Sequence, residues 1–318
     1  MTKVKISAVI PTYDRRELLR RTLRALQAQT LPKEQFEVVV VDDGGSDDSE
    51  AVVREFAATL NIKFFWQEDK GFRAGKARNI GTAIAEGDYI VYLDSGVLVA
   101  TTTLQEHLNI HECSTRPTVI IGYVYGFEVD NGLVGTLCAQ CDDRDVDGTI
   151  RRFQQLHALD IRQRQYDELG EDISQWPAPF DILWTCHVSA EREELLRAGL
   201  FDERFNTWGG EDVDLGVRLF LNDNLFILAK SAASFHWPTL KDTEDLKEKS
   251  AIAARKIHRK YNLRETSCYG MESADDKYSL NKAIRDRSFH DPRKPDRRAT
   301  GEDGVPGLRQ PRWGINGE

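Results

Sequence analysis

The stretch Phe36–Ser49, FEVVVVDDGGSDDS, decides the fold. Its valines form a continuous β-branched run with no polar alternation, the pattern of a strand covered on both faces. The run ends in Asp42 and Asp43, two glycines, and then a Ser-Asp-Asp group that reads as a helix cap. Ser46 or Asp47 is expected to cap a helix over 50–60. A doubly covered strand that feeds straight into a helix is one unit of a parallel α/β sheet.

The same unit recurs on both sides. Residues 4–10 form a short apolar strand that Pro11 should stop. Leu18, Leu19, Leu23 and Leu26 are spaced for a helix within 16–29. IKFFWQE, from Ile62, reads as the next strand. KARNIGTAIAEG, from Lys76, reads as a helix with Gly87 just past its end. DYIVYLDSG, from Asp88, is a further buried strand that ends in an acid. Alternating strands and helices predict a doubly wound, mostly parallel sheet. Ligands of such sheets bind beyond the carboxyl ends of the strands. The chain puts Pro11-Thr12-Tyr13, Asp42-Asp43 and Asp94-Ser95 at three such ends.

The second half is less regular. VIIGYVYGFEV, from Val119, reads as strand, and the polar segment 142–179 as helix-prone until its prolines. A strand and a helix follow from Asp181. LFILAKSAASFHWP, from Leu225, is one more short strand ending at His236. An amphipathic helix is expected over 243–261, and the tail from Ser267 reads as irregular.

Composition sets the class. The chain has 318 residues, 40% hydrophobic and 30% charged, enough for a sizeable core. A net charge of -9 argues against a nucleic-acid partner gripped over the whole surface. No apolar run reaches membrane-spanning length and no lipidation motif is present, so a cytoplasmic location is expected. Cys138 and Cys141 form a C-x-x-C pair without the second pair or histidines that zinc needs, which leaves reduced, partly buried thiols.

Four groups carry chemistry. Asp42 and Asp43 either belong to a solvated turn or accept hydrogen bonds from a nucleotide's base or ribose. KGFRAGKARNIG sets Lys70, Arg73, Lys76 and Arg78 around glycines at a helix start, a pattern suited to an anion, though it lacks P-loop spacing. Asp94 could hold a divalent cation on a diphosphate or simply form a turn. In WGGEDVDLGVRLF, Trp208 offers an apolar wall, Gly209 and Gly210 a tight turn, and Glu211 and Asp212 carboxylates at a helix start. A carboxylate beside an aromatic wall is placed to act as a general base toward a hydroxyl.

In this order the pieces resemble the family-2 glycosyltransferases of GT-A fold. AVIPTYDRRELLRRTLRALQAQT, VVVVDDGGSDDS, GFRAGKARNIG and YIVYLDSG look like that family's nucleotide-sugar elements. FDERFNTWGGEDVDLGVRLF resembles the acceptor-side motif of chondroitin-polymerase-like, galactosyltransferase-like and polypeptide N-acetylgalactosaminyltransferase-like enzymes. The resemblance implies a GT-A domain over 1–240, with a nucleotide-sugar half (1–100), an acceptor and catalytic half (101–240), and a C-terminal helix and tail (241–318). It implies that Pro11, Thr12, Tyr13, Asp42, Asp43, Arg73, Arg78, Asp94 and Ser95 serve the UDP-sugar. Trp208, Gly209 and Gly210 serve the acceptor, with Asp212 as base and Glu211 beside it. Asp94 and His236 would hold Mn2+ or Mg2+.

The family's DxD motif is Asp-Ser-Gly here, with Gly96 in the last place, so the basic cluster could share the leaving-group charge. The expected reaction moves a hexose or N-acetylhexosamine from a UDP-sugar to an acceptor (saccharide, peptide or small natural product) with inversion. Retention and a non-catalytic sugar-nucleotide-binding protein are the alternatives. A nucleotidyltransferase would want a glycine-rich turn after the first strand, where Pro-Thr-Tyr-Asp stands. Trp176 and Trp184 read as core rather than sugar platforms.

Overall fold

The structure, a computed structural model, describes residues 3–127, 130–240, 243–269 and 280–289, without the side chains of 243–247 and 287–289. Eight strands form one sheet: β1 (Ile6–Thr12), β2 (Phe36–Asp42), β3 (Ile62–Trp66), β4 (Tyr89–Leu93), β5 (Val97–Val99), β6 (Thr118–Tyr125), β7 (His187–Glu191) and β8 (Leu225–His236). Their order is β3-β2-β1-β4-β7-β6-β8-β5. Strands β3, β2, β1 and β4 are mutually parallel. β7 runs antiparallel between β4 and β6, β8 is parallel to β6, and β5 is antiparallel to β8. This is a mixed α/β, mostly parallel sheet, as the alternation of strands and helices predicts.

Alternation along the buried strands sorts residues onto two cores. Ile6, Ala8, Ile10, Val38 and Val40 face one core, and Val9, Val39 and Val41 the other. The first core is covered by α1 (Arg16–Gln27) and α2 (Ser49–Phe56), through Leu19, Leu23, Val52 and Phe56. The second is covered by α3 (Ala74–Ile84) through Ala77. Burying both faces is why the Val38–Val41 run has no polar member.

The second half adds α4 (Thr103–Cys113), α5 (Val134–Cys138), α6 (Val146–Gln155), α7 (Gln163–Leu169), α8 (Arg192–Arg197), α9 (Glu211–Leu221), α10 (Thr243–Tyr261) and α11 (Leu280–Phe289). Ile257, Cys268, Leu280 and Ile284 join the second core, so the C-terminal elements pack on the same face as α9.

Four expectations are corrected. β1 runs through Pro11 to Thr12 instead of stopping at residue 10. Its ladder with β4 ends at Val9, and Pro11 pairs only with β2, so the missing N–H breaks no two-sided ladder. The cap of α2 is neither Ser46 nor Asp47 but Asp48, at φ 56°, whose carboxylate accepts from the Ala51 N–H. β5 was not foreseen, because three apolar residues after a turn carry no periodicity of their own. The tail from Ser267 is not wholly irregular: in α11, Asn281 is fully buried and accepts from the Ala178 N–H at 2.8 Å. Residues 270–279 and 290–318 lie outside the described residues.

Candidate active site

The parallel register brings Thr12, Asp42 and Trp66 to one edge of the sheet. The loops there are closely interlocked. Asp42 is buried, and its Oδ1 accepts from the N–H groups of Gly44 and Gly45 at 3.1 and 2.7 Å. Burial, the largest influence on it, raises its pKa. Gly44 has φ +95°, and a Cβ there would lie 2.3 Å from the Asp69 backbone N, so only glycine fits. Asp69 accepts from the Tyr13 hydroxyl at 3.2 Å, and Tyr13 is exposed. Pro11 and Thr12 stand at the end of β1, where the Thr12 hydroxyl is buried without a hydrogen-bond partner among the described residues.

Asp43 is turned toward the basic segment. It accepts from Gln67 Nε2 at 2.6 Å and from the Arg73 N–H at 2.8 Å, and pairs with the Arg73 guanidinium at 2.9 Å. Arg73 precedes the first turn of α3, whose N-terminus has no side-chain cap. Orphan N–H groups there favour an anion. Lys70 pairs with Glu68 at 3.0 Å, while Lys76, half-buried, bonds no described side chain.

Arg78 does not point outward with this cluster. It is 4% exposed and bridges two acids, at 2.9 Å to Asp94 Oδ1 and 3.4 Å to Glu211 Oε1. Its guanidinium also lies over the Phe201 ring, 5.6 Å from the centroid. Sequence reasoning gave Arg78 to the nucleotide. The structure makes it the link between the end of β4 and the start of α9. Ser95 is turned inward too, its hydroxyl donating to the Pro11 carbonyl at 2.9 Å.

The turn that follows Asp94 lies against the end of β8, because Val97 pairs with His236 and the Trp237 N–H donates to the Gly96 carbonyl at 2.8 Å. His236 Nδ1 contacts the Trp237 carbonyl at 2.8 Å, which orients the ring. Gly96 stands at φ +102°, a conformation in which an acid would be strained. Among the described residues no group of three or more His, Cys, Asp or Glu side chains could hold a metal ion. By donor chemistry Asp94 and His236 supply at most one carboxylate and one imidazole, a partial set for a divalent cation that phosphate oxygens and water would have to complete.

The second acidic group is built by α9. Gly209 and Gly210 both have φ +93°, turning the chain sharply after half-buried Trp208. Glu211 is 5% exposed; one oxygen reaches Arg78 and the other, Oε2, is buried without a hydrogen-bond partner among the described residues. Burial raises its pKa, with Arg78 opposing. Asp212 accepts from the Val213 N–H at 2.8 Å. Burial first, and then the neighbouring Glu211 charge, raise its pKa, so it can take up a proton near neutral pH. Asp214, the third acid, is structural: it binds Arg218, Lys260 and Tyr261 at 2.8, 2.6 and 2.9 Å, which ties α10 to α9.

The remaining candidates fall where the plainer reading put them. Cys138 and Cys141 are free thiols donating to the Pro238 and Leu137 carbonyls at 3.4 and 3.3 Å. Trp176 is core, its indole N–H donating to Gly170 at 3.0 Å. Trp184 lies beneath the buried Arg162, 5.3 Å from its guanidinium. Sequence reasoning missed Asp69, which braces Tyr13, and Asp181 and Tyr269, discussed below. Only the turn chemistry of Glu68–Gly71 hinted at the first.

Residues 7–170 match the model of glycosyl transferase family 2. The chain belongs to this family. A validoxylamine A glucosyltransferase of Streptomyces hygroscopicus subsp. jinggangensis is 38% identical over 215 residues, covering 67% of this chain and 51% of the relative. The family 2 chain thus spans about half the length of that relative. Among solved structures, S. aureus TarS 1-349 in complex with UDP superposes with a TM-score of 0.56 at 20% identity, over 91% of this chain and 73% of that one. The mannosyltransferase PcManGT of Pyrobaculum calidifontis, in complex with GDP-Man and Mn2+, gives 0.60 at 15% identity, over 91% and 76%. These two likenesses bear on the fold alone. Among the described residues no helix is long and apolar enough to cross a membrane.

Proposed function

We propose that this family 2 chain transfers a hexose or N-acetylhexosamine from a UDP-sugar to an acceptor hydroxyl, with inversion at the anomeric carbon. The carrying observation is the Asp94–Arg78–Glu211 bridge, which fixes the end of β4 against the turn that presents Asp212. Donor and acceptor sides are thereby held in one rigid frame.

In this reading Pro11, Thr12, Tyr13 and the Asp42–Asp43 edge enclose the uridine. Arg73, Lys76 and the N-terminus of α3 face the diphosphate. Asp94 and His236 would hold Mn2+ or Mg2+, which supplies charge stabilisation to a departing diphosphate when bound. Trp208 walls the acceptor. Its hydroxyl gives a proton to Asp212 as the oxygen bonds to C1 and the C1–O bond to the diphosphate breaks. UDP leaves with that electron pair. The similarity to a glucosyltransferase makes UDP-glucose the first donor to test.

The experiment has two readouts, thermal stabilisation by UDP and UDP release from UDP-sugars. Asp212→Asn should lower turnover by about 10²–10⁴-fold while the UDP-induced shift survives. Loss of both together would make Asp212 structural. UDP binding without release from any UDP-sugar, with any acceptor, would support a non-catalytic binding protein. The product anomer, read by proton NMR, decides inversion against retention.

A further inference from the structure

Phe127 belongs to none of the motifs above. It leaves the end of β6, where Tyr125 pairs with Phe235 of β8. Gly126 makes the turn, at φ +65°. A Cβ there would lie 2.5 Å from the Phe153 ring and 3.5 Å from the His236 carbonyl oxygen, so the chain passes close beside the end of β8. The Phe127 ring then meets the Trp184 and His236 rings, with centroids 5.8 and 5.6 Å away.

Two further segments close round it. α6 ends in a left-handed residue, His157 at φ +54°, and the Ala158 N–H returns to the Phe153 carbonyl at 2.9 Å. The Gly126 N–H donates to the Ala158 carbonyl at 2.9 Å, which pins this helix end to the end of β6. α5 is held there too, because the Cys138 thiol donates to the Pro238 carbonyl, two residues past His236. Between these segments lies a cavity of about 240 Å³. Phe127, Leu137, Leu159 and Ile161 line it together with Leu133 and Leu156. The last two are 53% and 49% exposed, so large apolar side chains stand at its mouth.

The lining selects against charge. None of the described lining residues is Lys or Arg. Asp130 is the one acid among them, and its Oδ1 already accepts from the Gly132 N–H at 2.7 Å. A phosphate or uronate would find no permanent counter-charge here. Size narrows the occupant further. A cavity of about 150 Å³ walled by Leu, Ile and Phe holds benzene. This one has room for a substituted ring but not for a partner's helix, which is about 10–12 Å across.

We propose that this cavity is an acceptor subsite for an uncharged hydrophobic ring, the aglycone of an acceptor whose sugar hydroxyl enters the reaction. The inference rests on the transferase reading and names its acceptor class. Phe127 makes the connection, since it both lines the cavity and meets His236. Every wall comes from residues 127–161, in the half that this reading gives to the acceptor. Burying the ring against Leu and Phe supplies affinity without direction, and the sugar's polar contacts supply the direction.

The test uses the full chain, a UDP-sugar it turns over, and the phenyl and methyl β-glycosides of glucose and N-acetylglucosamine. Binding is read by saturation-transfer NMR in the presence of UDP, and transfer by UDP release. For at least one of the sugars the phenyl glycoside should bind through its aromatic protons. Its KM should lie about tenfold or more below that of the methyl glycoside, as burial of the larger apolar group gives. Leu133→Asn and Leu156→Asn, both at exposed positions, should each bring the two KM values together while the UDP-induced thermal shift stays. Equal KM values in the wild type, or a phenyl preference untouched in both variants, overturns the proposal. So does a phenyl glycoside that is held but never glycosylated, which would leave the cavity to an occupant outside the reaction. A wild type that releases UDP from a UDP-sugar but accepts none of the glycosides also overturns it and leaves the transferase reading standing. Failure to bind UDP defeats that reading itself.

Discussion

Arg78 holds two carboxylates, Asp94 and Glu211, on one buried guanidinium. Removing a buried cation leaves both acids uncompensated, a loss of about 3–5 kcal/mol. Arg78→Met should therefore unfold at markedly lower urea, and Arg78→Lys should lose less by keeping a point charge without the fork. Equilibrium urea unfolding checks this; a loss below about 1 kcal/mol would show that water or a proton replaces the guanidinium. The sequence held a sign of this inward role. Gly75, Ala77, Gly81 and Thr82 mark the buried face of α3, and Arg78 lies among them. Asp43 and Arg73 teach a related point. Both were legible as site candidates, but their mutual 2.9 Å pairing was not, because 30 residues separate them and only the turn after β3 brings them together.

Among elements, the entry to α9 is the most constrained. Gly209 and Gly210 share φ +93° but not their surroundings. A Cβ on Gly209 meets nothing within 4 Å, whereas one on Gly210 lies 2.7 Å from Ala253 Cβ and 3.1 Å from the Phe205 ring. Gly209→Ala should cost only the left-handed strain, about 1–2 kcal/mol. Gly210→Ala adds a clash with α10 and should cost clearly more, with faster proteolysis of α10. Equal losses in chemical unfolding would mean that α10 gives way freely. Elements with strong patterns were the legible ones: the valine run of β2, the leucine spacing of α1, and α10 over 243–261. α11 was hidden by its charged setting, since its few buried residues, such as Leu280 and Ile284, become meaningful only against the core they enter.

For the whole molecule, the edge that gathers Thr12, Asp42 and Trp66 was readable because parallel strands end together, so each strand's last residues report on one place. The Asp181–Tyr269 pair spans 88 positions and depends on how the C-terminal elements dock, which no local pattern encodes. The same holds for a histidine chain through the sheet. His111 contacts Ser189 at 2.8 Å, Ser189 contacts His107 at 2.8 Å, His107 contacts His187 at 2.9 Å, and His187 contacts Ser234 at 2.8 Å. It joins α4 to β7 and β8, and the histidines are buried. Burial holds all three imidazoles neutral, with His111 and His187 each near 3 against an ordinary 6.5, and His107 also well below it. The unfolded chain binds these protons first, so their contribution to stability is intact above pH 6.5 and is lost as pH falls from 6.5 toward 3. Each histidine adds up to about 1.4 kcal/mol per pH unit over that window. Asp181 works in the opposite sense: raised to about 7 from 3.8, it lets the folded state hold the extra proton, and its contribution is present in full below pH 3.8 and is lost as pH rises from there through 7. Asp181 thus offsets one histidine's share over the acid range, and stability should fall from about pH 6.5 toward acid and change little above pH 7. Thermal unfolding from pH 4.5 to 8.5 checks this. His111→Asn should lower the midpoint at pH 7 and flatten the acid limb by one proton's share, and Asp181→Asn should steepen the acid limb by removing the share that opposes the histidines. An acid limb equally steep in His111→Asn would mean that His111 is not among the groups taking up protons on unfolding.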